Sequence, residues 1–149
     1  MSVAWAVTPH CEERLFADRF AGKRASMRLC VNPGSLTTSS TRTQWEAVEL
    51  SGNGYARYEW TIPAGSYNAT AGRWEAPPQL CEFSASSGGN GLTWNTAVIV
   101  LGTYVSNVFA PESGVSFILS EGSNQTILAG ATPRSYQVII CTDGLSVTS

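Results

Sequence analysis

The sequence predicts an all-β chain, an antiparallel β-sandwich or flattened barrel carrying one short N-terminal helix. Apolar residues alternate with polar ones over most of the chain, which is the period of a half-buried strand. Turn-forming clusters recur at short intervals, among them Gly52-Asn53-Gly54, Pro63-Ala64-Gly65, the run 87–91 and Glu121-Gly122-Ser123-Asn124, and these favour hairpins over crossover helices. A helical period occurs once, near the start. At 149 residues the chain fits a single sandwich domain, 1–149, with 1–8 expected as a flexible N-terminal arm.

In chain order, the helix comes first, in "TPHCEERLFADRFAGK". Thr8 can cap, Pro9 can take the first helical position, and Glu12 and Glu13 favour the first turn. Cys11 with Leu15, and Phe16 with Phe20, make apolar pairs at spacing four, and Gly22 supplies the stop. "MRLCVN" then alternates as a strand. A polar linker is expected over 32–44, "NPGSLTTSSTRTQ", followed by a less regular strand in "WEAVEL", where Trp45 and Ala47 oppose Val48 and Leu50. "YARYEWTI" puts Tyr58, Trp60 and Ile62 on one face, so Trp60 is expected in the core. "QLCEFSAS" follows, and then "LTWNTAVIVLGTYVSNVF", whose uninterrupted Ala97–Leu101 centre predicts a strand covered on both faces. "VSFILS", "NQTILAG" and "RSYQVIIC" complete a set of about seven to nine strands.

Composition narrows the function classes. Charged residues are 13% of the chain, about half the usual share of roughly 25%, so a neutral Ser/Thr/Asn/Gly skin must cover much of the surface. A net charge of −2 gives no pull toward nucleic acid. Locally, Arg14, Arg19, Lys23, Arg24 and Arg28 fall close together with Asp18 the only acid among them. No apolar run reaches the roughly 20 residues of a membrane span, and the first residues do not read as an export signal. Cys11, Cys30, Cys81 and Cys141 are too scattered for a zinc site, so free, structural thiols and no metal are expected.

Catalytic chemistry finds little to stand on. The single histidine, His10, sits beside Pro9 at the helix start, and no nucleophile elbow or phosphate loop occurs. Glu46, Glu49, Glu59, Glu75 and Glu82 lie near tryptophan-bearing segments, where a pair of carboxylates could cleave a glycoside. Strand alternation places Glu59 facing water instead, and no catalytic residue or cofactor is assigned. Trp74 has two readings: a ring folded back over the end of the sandwich, or an exposed anchor for a partner.

The segments "EERLFADRFAGK", "MRLCVNPGSL", "GYARYEWTIPAGSYNATAGRWEAP" and "GATPRSYQVIICTD" together resemble a family of small accessory virion proteins of tailed bacteriophages. The phrase "WTIPAGSYNATAGRWE" is similar to proteins of cyanobacterial phages in particular. The resemblance implies a non-enzymatic capsid cement or decoration protein on the virion, assembled in the host cytoplasm, whose partner is the major capsid protein or another virion protein. A homo-oligomer fits the same picture; nucleic acid and membrane do not. The contact candidates are Trp5 in the arm, the basic residues Arg14, Arg19, Lys23, Arg24 and Arg28, and the aromatic pair Tyr67 and Trp74. Two other stations stay open: a tail-fibre or baseplate module whose Tyr55, Tyr67 and Trp74 stack on host polysaccharide, and a neck or tail-terminator ring component.

Overall fold

The computed structural model describes residues 7–112 and 114–149. It contains two five-stranded antiparallel sheets packed as an open sandwich, not a closed barrel. Sheet A comprises β1 (Arg24–Cys30), β2 (Tyr58–Thr61), β6 (Leu92–Val105), β7 (Val108–Pro111) and β8 (Phe117–Ile127). Sheet B comprises β3 (Ser66–Asn68), β4 (Arg73–Glu75), β5 (Gln79–Phe83), β9 (Arg134–Cys141) and β10 (Gly144–Thr148). Strands β1 and β6 pair over their whole overlap, Arg24 opposite Gly102 to Cys30 opposite Thr96. β7 and β8 share the other edge of β6, β8 along its first half and β7 along its last four residues.

Helix α1 (Pro9–Arg19) forms as its sequence dictates: the Thr8 hydroxyl accepts from the Cys11 amide, Pro9 opens the first turn, and Gly22 leaves it at φ 77°. Phe16 and the capping Phe20, their rings 5.5 Å apart, enter the main core, Phe20 reaching Phe117 of β8 at 6.1 Å, while the helix packs on the β3–β4 hairpin. The main core fills the space between the sheets with Ala25, Met27, Leu29, Trp60, Ile62, Phe83, Trp94, Ile99, Tyr136 and their neighbours. Inside it the Trp94 indole donates to the Tyr136 hydroxyl at 2.9 Å, and that hydroxyl donates to Glu121, so both buried polar groups are satisfied.

The principal correction to the sequence reading concerns 32–50. The expected linker and irregular strand are a covering layer with a second helix, α2 (Arg42–Glu46). Thr41 caps it and Gln44 reciprocates, a full capping box. Trp45 drops from α2 onto the outer face of sheet A and is only 2% exposed. There it joins Cys30, Val98 and Val100 in a second apolar cluster, with Leu36, Val48, Phe109, Val115 and Ile118 around it. This explains why β1 is buried along both faces although its sequence alternates.

Smaller departures have local causes. The loop in "PAGSYNATAG" is the β3–β4 hairpin, the long run ending in "VSNVF" folds back at Ser106-Asn107, and β10 is an additional strand. "VSFILS" and "NQTILAG" belong to one bulged strand, β8. Because Trp45 closes the outer cluster, Trp45→Ala should cost about 3–5 kcal/mol in urea unfolding. A loss under about 1 kcal/mol would mean that the layer adds little.

Candidate surface: a buried latch and a projecting hairpin

The covering layer is fastened to sheet A by charge. Arg28 points outward from β1, yet its side chain is only 2% exposed. Its Nη1 lies 3.2 Å from Glu46 Oε1 and 3.9 Å from Glu49 Oε2, and its Nε donates to Ser26 Oγ at 3.3 Å. Glu49 is 7% exposed and takes two bonds from Arg57, each 2.8 Å, and one from the Tyr55 hydroxyl, also 2.8 Å. The bidentate pair raises the Arg57 pKa further, while burial, followed by the Glu49 charge, pushes the Tyr55 hydroxyl well above its ordinary value. Arg42 completes the layer: its Nε approaches Glu46 at 3.3 Å, and its Nη1 donates to the carbonyls of Pro111 and Glu112. Arranged this way, both carboxylates serve as fasteners for guanidinium groups.

The same arrangement places the five basic residues of the sequence cluster in three settings. Arg28 belongs to the latch, which removes it from the contact surface expected for it. A charge on a strand that alternates with apolar neighbours reads as solvent-facing, and its burial depends on Glu46 and Glu49 arriving from the covering layer. Arg14 and Arg19 lie exposed on α1, Arg19 within 3.5 Å of the Thr142 carbonyl. Lys23 and Arg24 reach the root of the β6–β7 hairpin. Trp5 lies outside the described residues, as does the arm before Val7.

That hairpin is the feature the sequence reading missed. Beyond Gly102 β6 leaves its β1 partner, continues to Val105, turns through Ser106 and Asn107 at φ 51° and 62°, and returns as β7. Two successive positive φ values make the tight turn that suits strand twist, and asparagine tolerates that conformation. Gly102 sits at the branch, where a Cβ would collide with the Ala110 carbonyl. The tip holds Val105 and Val108 in water at 60% and 67% exposure, and Tyr104, one residue nearer the root, is 45% exposed. Its root is braced: the Arg24 guanidinium lies 4.0 Å over the Tyr104 ring and donates to Thr61 Oγ1 at 2.7 Å, and the Tyr104 hydroxyl donates to Glu59 at 3.2 Å. Lys23 Nζ meets Glu112 at 2.9 Å on the neighbouring turn. The signal in the sequence was Ser106-Asn107 between two valines.

The aromatic candidates are otherwise employed. Tyr67 and Trp74 are cross-strand partners in the β3–β4 hairpin, and Trp74 packs against the core with its indole donating to the Ala64 carbonyl at 2.8 Å. Of the two readings of Trp74, the folded-back ring is the one seen. Tyr55 stacks on Phe83 with its hydroxyl held by Glu49, so the three rings do not form one platform.

Glu59 and Glu75 project from the outer faces of opposite sheets. Hydrogen bonds from Arg73 and then Asn68 hold Glu75 below the usual carboxylate range, which favours its charged form over that of a proton donor. Among the described residues no group of His, Cys, Asp and Glu gathers as a metal site, and no helix is long and apolar enough to cross a membrane. In comparisons with known proteins, no family model matches the chain, nor does any curated protein or solved structure.

Arg28→Ala removes the buried charge-assisted bonds to Glu46 and Glu49, which keep Arg42 and Arg57, and should cost about 1.5–3 kcal/mol, whereas Arg14→Ala on the exposed helix should stay within about 0.5 kcal/mol; equal effects in denaturant titrations would contradict the latch. The four cysteines are free, with Cys11 exposed and the others buried, and burial pushes the Cys30 and Cys81 thiols up to about 12. A thiol-specific disulfide reagent at pH 8 should therefore react quickly with one equivalent in the native chain and with four after denaturation. The raised thiols bind protons more tightly folded than unfolded, so stability should fall as pH rises from about 9 toward 12.

Proposed function

We propose that the chain is a non-enzymatic structural protein of a tailed-phage particle, most specifically a cement or decoration protein that binds neighbouring major capsid protein subunits. The observation that carries the reading is the β6–β7 hairpin: the cross-strand pair Val105 and Val108 held in water at the end of a projecting ribbon that is braced through Tyr104. An exposed apolar pair at the end of a ribbon whose base carries Lys23, Arg24, Glu59 and Glu112 offers an apolar contact beside polar ones, the combination that docking surfaces use. Its preformed turn and buttressed root reduce the ordering cost of association. The low charge content of the chain supports the same reading, since a neutral skin packs closely against neighbours without strong repulsion.

Cementing requires contact area and no turnover. A protein that binds assembled subunits and not dissociated ones stabilises the shell in proportion to its occupancy. The exposed basic residues Arg14 and Arg19 on α1 offer a second contact toward acidic neighbours, and on this reading the protein joins the virion during assembly in the host cytoplasm.

The test uses shells with and without the protein. Shells carrying it should resist heat and dilution better, and Val108→Asp should abolish that protection while leaving the melting temperature of the isolated chain unchanged within a few degrees. Equal resistance of shells with and without the protein would overturn the proposal. Retained protection by Val108→Asp would remove the hairpin from it.

A further inference from the structure

At the other end of β6 the ladder with β8 breaks. Trp94 pairs with Gln125 and Thr96 with Ser120, so Glu121, Gly122, Ser123 and Asn124 stand opposite Asn95 alone. A bulge of this size interrupts pairing and re-aims side chains. Glu121 turns inward to Tyr136, and 122–124 are left as a raised lip. The facing lip is fixed by side chains that imitate backbone: the Asn32 amide donates to Asn95 Oδ1 at 2.8 Å, and Asn95 Nδ2 donates to the Asn32 carbonyl at 3.0 Å. The Asn32 side chain in turn accepts from the Gly34 and Leu36 amides, and the Thr96 hydroxyl donates to Asn95 Oδ1.

Between the lips lies a cleft of about 240 Å³ walled by Asn32, Asn95, Thr96, Ser120, Ser123 and Asn124. We propose that this cleft binds one unit of a neutral carbohydrate. Its lining carries no charged side chain and no large apolar one, and that composition selects by chemistry. An ion entering it would lose hydration without meeting a counter-charge, and an apolar group would meet no apolar wall. A polyol exchanges its water for amide and hydroxyl partners at little cost. The Ser120, Ser123 and Asn124 residues are exposed on the lip, while the floor is held in place by the Asn32–Asn95–Thr96 bonds. The space suits a single sugar ring. With no aromatic face in the lining, binding should be weak, with a Kd in the roughly millimolar range.

This inference does not depend on the particle reading, because it concerns the isolated chain. The test is an amide-resolved NMR titration of the labelled protein with glucose, galactose, mannose and N-acetylglucosamine, each up to about 50 mM, and with their β-linked oligomers. Saturable shifts confined to 32–34, 95–96 and 120–124 are expected with at least one sugar, and Ser120→Trp should abolish them. If that variant does not fold, Asn124→Arg on the exposed lip serves the same purpose. Tighter binding of the oligomer identifies a polysaccharide as the source of the unit, and equal binding a free sugar. Absence of saturable shifts at the cleft with every probe, or shifts that survive a folded cleft-blocking variant, would overturn the proposal.

Discussion

The arrangement hangs on a guanidinium placed where water does not reach. Arg28 stands between sheet A and the layer that covers it, and an unpaired charge there would be prohibitively costly. It is tolerated because Glu46 and Glu49 approach from the covering layer at 3.2 and 3.9 Å. Such a cluster is a poor source of net stability compared with an apolar filling, but a strong penalty against the wrong arrangement, since without Glu46 and Glu49 the Arg28 charge would be buried and unpaired. That penalty favours the register in which the layer docks. Glu49 pairs with Cys30 by backbone, Val31 and Leu50 bond across to the layer and to β1, and Trp45 falls onto Val98 and Val100.

From that register the rest follows outward. With its outer face covered, sheet A is sandwiched on both sides, which suits the continuous apolar run Ala97–Leu101 in β6. Arg42 carries the layer on to the Pro111 and Glu112 carbonyls and Lys23 reaches Glu112, so the hairpin rises from a base fixed at several points. Among the described residues, sheet B has no second apolar cluster on its outer face. Leu80 stands exposed on β5, and short strands and the Arg73–Glu75 pair occupy its far edge.

Where local chemistry decides an element, the sequence shows it. The Thr8 cap, Pro9 and the Phe16–Phe20 spacing specify α1, and alternation through Tyr58, Trp60 and Ile62 specifies β2 with its buried tryptophan. The second helix was also written locally, in the Thr41-to-Gln44 capping box, but it is masked by a Ser/Thr-rich stretch that reads as linker. Arg28 was not legible in this way. A strand arginine faces water by default, and its partner Glu46 lies 18 residues further on, in a segment whose position is set by the tertiary structure. The site was less visible for the same reason: Lys23, Arg24, Glu59, Tyr104 and Glu112 converge at the hairpin root from four separate segments, and periodicity within any one of them says nothing about the others.

The hairpin and the polar cleft lie at opposite ends of one strand, and this follows from how β6 is paired. Only its middle, Thr96 to Gly102, has β1 along the whole of one edge; on the other, β8 serves through Ile99 and β7 begins at Gly102. At each limit the pairing changes and the backbone must depart from a regular sheet. Near Asn95 it departs by inserting residues into β8, which opens the cleft. At Gly102 it departs by bringing the Ala110 carbonyl so close that only glycine fits, which sends β7 out alone with β6 as the hairpin. Roughly nine residues at about 3.3 Å each put the two features some 30 Å apart, joined by a strand buried on both faces. Because that strand is covered by the main core on one side and by the Trp45 layer on the other, both features are set by how a single buried strand is paired.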